Sequence, residues 1–192
     1  MRQPEDCVIT GRALLGEELL EEDVSITVSG GIVTSIEPVS RTSGLWIVPA
    51  FFNAHTHLGD TVAMDIPARG SLAGLVKPPN GLKHRILAAT PRADLVRGMR
   101  ASITTMMASG TAGFADFREG GAEGVAALRE AAAGFDCSPV ILGRDGGETV
   151  GDGAGISSVH DVKNAEEVVR CARAAGKLVA FHAGEKSPDD ID

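Results

Sequence analysis

Two histidines separated by a single residue, His55 and His57, follow a run of small and apolar residues in the stretch "VPAFFNAHTHLGD". Side chains alternate in direction along a β-strand, so residues i and i+2 face the same way. Two imidazoles at the end of a strand can therefore reach one ion together, and neutral imidazole is a ligand that suits zinc or iron. The spacing by itself leaves two interpretations open, half of a metal site or two polar histidines in a loop.

A third histidine, His182, also ends an apolar stretch, "LVAFHAGE". The carboxyl ends of parallel strands lie at one edge of a sheet, so strands of one parallel sheet would bring His182 toward the histidine pair. A histidine packed in the core is the alternative. Glu185 follows three residues later, where a carboxylate is placed to act on a metal-bound water or on a substrate nitrogen, unless it is a surface glutamate.

The elements that must position these side chains begin at Leu45, where short apolar runs start to alternate with helical patterns. This alternation is typical of βα units around a parallel sheet. Five strands are predicted, at residues 46–53, 111–117, 138–142, 154–159 and 178–181. Five strands fit an open sheet or part of an eight-stranded barrel, and periodicity does not decide between them.

Three helices are predicted between these strands. The first has Thr90 as N-cap, Pro91 in its first turn and Gly110 as its stop. The second covers "GAEGVAALREAAAGF", and the third has Asn164 and Glu167 as a capping box. The segment from Gly59 to Leu87 is predicted to be a long loop.

The first part of the chain has a different pattern. Short β-type runs on either side of the turn "SGG" at residues 29–31 predict a hairpin. We therefore expect a small β-segment at residues 1–46 and the βα units at residues 47–192.

Composition narrows the function further. A formal net charge of -8, with scattered basic residues, argues against nucleic acid as a partner. No run reaches the roughly 18 apolar residues of a membrane span, and the start of the chain has no signal-peptide pattern, so a cytoplasmic protein is expected. The three cysteines form no CxxC pair and are predicted to be buried thiols.

Three stretches, "VPAFFNAHTHLGD", "GTAGFADFREGG" and "FHAGE", together resemble the amidohydrolase superfamily, and in particular its purine, pyrimidine and triazine deaminase branches. The resemblance implies an α/β fold, a (β/α)8 TIM-type barrel preceded by a small N-terminal β-sandwich segment. It implies that His55, His57 and His182 bind one divalent metal, zinc or else iron, and that Glu185 is the catalytic proton shuttle. The implied reaction is hydrolysis of a C–N bond in a small nucleobase-like or amide-containing substrate by a metal-activated water.

The chain also departs from the family pattern. The family needs a later histidine and a later aspartate from strands that this sequence lacks, so we expect an incomplete barrel that is inactive alone. A second branch of the family uses a bridging lysine or glutamate after the fourth strand to hold two metals. No lysine ends "GAGISSV", the predicted fourth strand, so the resemblance favours one metal over two. The alternative is a non-catalytic metal-binding or scaffold protein that pairs with a second copy or another chain to complete the barrel.

Two further residues are weaker candidates for substrate binding. Asp116 near the end of the second strand is expected to contact substrate or a ligand histidine, or else to pair with Arg118. His84 lies in the predicted loop after the first strand, where barrel enzymes place their substrate specificity. In that loop, His84 and the neighbouring lysines would contact either an anionic group of the substrate or only solvent.

Overall fold

A computed structural model describes residues 6–41, 44–77, 80–158 and 162–184 of the chain. The chain divides into two compact units between Ala50 and Phe51. Each unit is built around a sheet of its own.

The first unit is a four-stranded sheet in the order β3-β2-β1-β4. Its strands are β1 Cys7–Leu15, β2 Leu20–Ser29, β3 Ile32–Pro38 and β4 Trp46–Ile47. The first three strands are antiparallel and β4 runs parallel to β1. The predicted hairpin is present, with Gly30 and Gly31 at φ 59° and 80°, the left-handed conformation that a two-residue hairpin turn requires.

The second unit is a five-stranded parallel sheet in the order β5-β6-β7-β8-β9. Its strands are β5 Phe51–Thr56, β6 Thr111–Arg118, β7 Ser138–Gly143, β8 Gly153–Ile156 and β9 Leu178–Phe181. Strand order follows chain order, as in consecutive βα units of a barrel. The expected α/β class, with an incomplete barrel preceded by a β-segment, is confirmed.

The predicted first strand of the barrel was wrong in its extent. Trp46 and Ile47 pair with β1 in the first unit, and the barrel strand begins at Phe51 and continues through His55 to Thr56. Pro49 lies between the two strands and has no N–H with which to continue a ladder.

The helices on the described residues are α1 Leu72–Val76, α2 Leu82–Ala89, α3 Arg92–Ala108, α4 Gly121–Ala132 and α5 Ala165–Ala174. A 3₁₀ turn covers Leu58–Ala63, so the segment expected to be a loop is largely helical. Two predicted capping roles were wrong, although Asn164 is the N-cap residue of α5 as predicted. The Thr90 hydroxyl donates to Ile86 in α2, and Glu167 pairs with Arg170 rather than with the backbone of Asn164.

Alternate residues of the sheet pack on opposite sides, as the strand repeat requires. Phe114 and Ile141 join the larger core, packing against α3 and α4 through the buried residues Met99, Ile103, Val125 and Leu128. Ala115, Phe117 and Leu142 form a second apolar cluster. Phe117 of this second cluster lies against the candidate site.

The expectation of buried thiols was wrong for two of the three cysteines, because Cys7 and Cys171 are exposed and Cys137 is half-buried. In the described part of the chain, the helices are too short or too polar to cross a membrane.

Candidate metal centre

Three imidazoles meet at the carboxyl ends of the first and last strands of the parallel sheet. His55 lies in β5, His57 follows it, and His182 follows β9. A flat sheet with strands about 4.8 Å apart would separate β5 from β9 by roughly 19 Å. The side chains meet only because the sheet curls and brings its two edge strands toward each other. We call these three residues the histidine triad.

The Nε2 atoms of the histidine triad face one another. The distances are 3.2 Å between His55 and His57, 2.9 Å between His55 and His182, and 3.1 Å between His57 and His182. Two nitrogens bound to one tetrahedral zinc ion at 2.0–2.1 Å would be about 3.3–3.4 Å apart. The spacing and the donor type therefore fit a shared divalent ion.

Phe117 packs against the whole histidine triad. Its ring centroid lies 4.9 Å from that of His55, 5.6 Å from that of His57 and 4.3 Å from that of His182. Only 3% of Phe117 is exposed, so it forms an apolar base that restricts how the imidazoles can rotate.

The Nδ1 atoms of two imidazoles face the surrounding protein. Nδ1 of His182 lies 3.4 Å from the carbonyl oxygen of Ile156. Nδ1 of His57 lies 3.5 Å from Oε1 of Glu119 and 3.4 Å from Nζ of Lys83. Carbonyl and carboxylate groups at this position of a ligand histidine fix its tautomer and its orientation.

Glu119 is the centre of a buried charge cluster. Its carboxylate contacts Lys83 Nζ at 2.7 Å, Arg118 Nη2 at 2.9 Å and Arg144 Nη1 at 3.0 Å. Burial by itself would raise the pKa of Glu119. The hydrogen bond with His57 and the charges of Lys83 and Arg118 outweigh burial and hold this pKa far below its usual range.

Asp116 is completely buried beneath the residues on either side of His57. Its Oδ2 accepts hydrogen bonds from the Leu58 N–H at 2.5 Å and from the Thr56 hydroxyl at 2.9 Å. Burial raises the pKa of Asp116, although Arg118 at 3.6 Å opposes this effect. The pairing of Asp116 with Arg118 is thus present, whereas contact of Asp116 with a substrate stays a prediction.

Two predicted site residues remain, His84 and Glu185. Nε2 of His84 is 3.0 Å from the carbonyl oxygen of Val76, within the same segment of the chain, and its role in substrate binding stays a prediction. Glu185 lies outside the described residues. Sequence reasoning missed Glu119, and the only signal for it was the charged run "DFRE" at the end of β6.

Solved structures with a similar fold include two enzymes. Atrazine chlorohydrolase from Arthrobacter aurescens TC1, complexed with zinc, superposes with a TM-score of 0.69 at 16% identity, over 93% of this chain and 53% of its own. The 5-methylcytosine deaminase from Klebsiella pneumoniae, liganded with 5-fluorocytosine, gives a TM-score of 0.64 at 17% identity, over 93% and 51% of the two chains. At this identity the likeness establishes the fold.

Closer relatives come from archaea. A proposed aminohydrolase of Methanothermobacter thermautotrophicus is 36% identical over 206 residues, covering 93% of this chain and 53% of the relative. Another from Archaeoglobus fulgidus is 36% identical over 148 residues, covering 76% of this chain and 44% of the relative. The chain thus spans about half the length of these relatives. The family model of the amidohydrolase family matches residues 46–147, more than half of the chain, and the chain belongs to that family.

Proposed function

We propose that the chain carries the metal-binding part of an aminohydrolase that acts on C–N bonds of a small molecule. The observation that supports this most strongly is the convergence of three Nε2 atoms within 3.2 Å of one another. Three acceptor nitrogens at such distances need a shared cation or proton to offset the repulsion between their lone pairs. The zinc in the structure of the chlorohydrolase supports zinc as that cation, with iron as the second choice.

In this proposal His55, His57 and His182 hold the ion. A divalent ion there would act as a Lewis acid and make water nucleophilic near neutral pH. Phe117 restricts rotation of the imidazoles, and Asp116 fixes the backbone at Leu58, directly after His57. Glu185 would then move a proton between the attacking water and the leaving nitrogen of a nucleobase-like or amide-containing substrate.

Metal binding is tested by titrating the purified chain with zinc and measuring the metal content after desalting. We expect one zinc per chain, and its loss in His55→Ala and His182→Ala. The matched control is His84→Ala, which removes a histidine bonded to the Val76 carbonyl oxygen. Equal metal content in the wild type and in the two triad variants would refute the site.

Activity is tested separately, by measuring ammonia release from a panel of nucleobase and amide substrates with zinc-loaded protein. Hydrolysis by the wild type that is lost in Glu185→Gln would support the proposed proton shuttle. Zinc binding without hydrolysis, when the remaining part of a full-length relative is also supplied, would refute the catalytic proposal.

The second candidate function is a metal-binding scaffold that pairs with another chain or a second copy. It is favoured by large apolar side chains exposed on the two edge strands, namely Phe51, Phe52, Leu178 and Phe181. A dimer in light scattering, together with zinc binding and no hydrolysis, would support this function over the enzyme.

A further inference from the structure

Two groups compete for the outer nitrogen of His57. Nζ of Lys83 lies 3.4 Å from Nδ1, and Oε1 of Glu119 lies 3.5 Å from it. A hydrogen bond donated by the lysine would make Nδ1 an acceptor and place the ring proton on Nε2. A hydrogen bond accepted by the carboxylate would place the proton on Nδ1 and leave the Nε2 lone pair free. Only the second tautomer offers Nε2 to an ion.

Lys83 already has two closer acceptors. Its Nζ lies 2.7 Å from Oε1 of Glu119 and 2.9 Å from Oδ2 of Asp60. Charge-assisted hydrogen bonds at these lengths are much stronger than a contact at 3.4 Å with a neutral ring nitrogen. Two of the three ammonium protons are therefore directed at the carboxylates, and one is left for the longer contact with Nδ1. Glu119 is the acceptor that faces a proton on Nδ1.

We propose that Glu119 is a positioning residue for His57, accepting the Nδ1 proton and thereby keeping the Nε2 lone pair directed toward the other two imidazoles. Only 6% of Glu119 is exposed, and it is held by Lys83, Arg118 and Arg144. These contacts prevent the carboxylate from turning away. The consequence for metal binding rests on the function proposed above, whereas the tautomer assignment does not.

The tautomer is tested on the metal-free, ¹⁵N-labelled chain by long-range ¹H–¹⁵N spectra of the imidazoles, at a pH where the rings are neutral. We expect wild-type His57 to carry its proton on Nδ1. In Glu119→Gln the amide can donate to Nδ1, so we expect this preference to be lost. A wild-type proton on Nε2 would overturn the proposal. So would a preference that survives Glu119→Gln but is lost in Lys83→Met.

Zinc affinity provides a second readout, measured by competition with a chromophoric chelator. Loss of the partner of a ligand histidine typically weakens metal binding about 10- to 100-fold, and we expect this for Glu119→Gln, with partial recovery in Glu119→Asp. The matched control is Glu130→Gln, the same change at an exposed residue paired with Arg92, which should leave affinity unchanged. Thermal unfolding of each variant verifies that it is folded.

The two proposals fail in different ways. If the wild-type chain binds no zinc, the proposed function fails, while the tautomer spectra still decide the role of Glu119. If the wild type binds zinc and a folded Glu119→Gln variant binds it equally tightly with an unchanged His57 tautomer, only the positioning role is refuted.

Discussion

Gly124, in the first turn of α4, packs so closely against the end of β6 that its replacement by alanine should destabilise the protein. A Cβ atom at this position would lie 1.9 Å from the carbonyl oxygen of Glu119 and 2.9 Å from its carbonyl carbon. These are backbone atoms, so no side-chain rotation relieves the overlap. Either α4 or the strand end that carries Glu119 must move.

The magnitude follows from two opposing effects. Overpacking of a buried site typically costs about 1–3 kcal/mol, and an overlap of this size with the backbone belongs in the upper half of that range. Replacing glycine by alanine inside a helix returns about 1 kcal/mol. We therefore expect Gly124→Ala to lower the free energy of unfolding by about 1–2 kcal/mol, since strain exceeds the gain in helix propensity.

The assay is urea unfolding followed by circular dichroism, with Gly74→Ala as the matched control. Gly74 lies in α1, where, among the described residues, a Cβ would meet the Ser71 hydroxyl oxygen at 3.5 Å, an ordinary contact. This control should be neutral or stabilising by up to about 1 kcal/mol. A Gly124→Ala variant as stable as the wild type would show that the close approach of α4 to Glu119 is wrong.

Three further substitutions have expected outcomes in the same unfolding assay. Gly59→Ala would place a Cβ 2.2 Å from the buried guanidinium of Arg118, so we expect a loss of about 1–3 kcal/mol; wild-type stability would mean that this guanidinium moves freely. Phe117→Ala would leave a cavity beneath the histidine triad and cost about 3 kcal/mol, and an effect no larger than that of the half-exposed Phe181→Ala would contradict this. Lys177→Met would remove donors to three carbonyl oxygens at 2.8–2.9 Å and cost about 2 kcal/mol; an unchanged unfolding midpoint would contradict this.

Local patterns in the sequence were sufficient for much of the fold. Alternation of apolar and polar residues, together with the glycine pair at residues 30–31, predicted the hairpin. This worked because the faces of a strand and the conformation of a short turn are set by residues that are adjacent in the sequence. The extent of the first barrel strand and the capping roles of Thr90 and Glu167 were predicted wrongly. Each of these features depends on which of several nearby groups becomes the hydrogen-bond partner. That partner in turn depends on where the following element packs.

For the candidate site, the sequence by itself determined which side chains are available and that they end strands. The spacing of His55 and His57 on one strand fixes their common direction, whatever surrounds them. The position of His182 beside them was decided by the curl of the five-stranded sheet, a property of packing along the whole unit.

Glu119 was also beyond sequence reasoning. Its contacts with Lys83 and Arg144 join residues separated by 36 and 25 positions in the chain, brought together only when α2 and the end of β7 pack beside β6. A local pattern carries no information about such long-range contacts, because the chain between them can follow many paths. The sequence therefore determined the ligands of a candidate metal centre, and the tertiary structure decided their convergence and the groups that orient them.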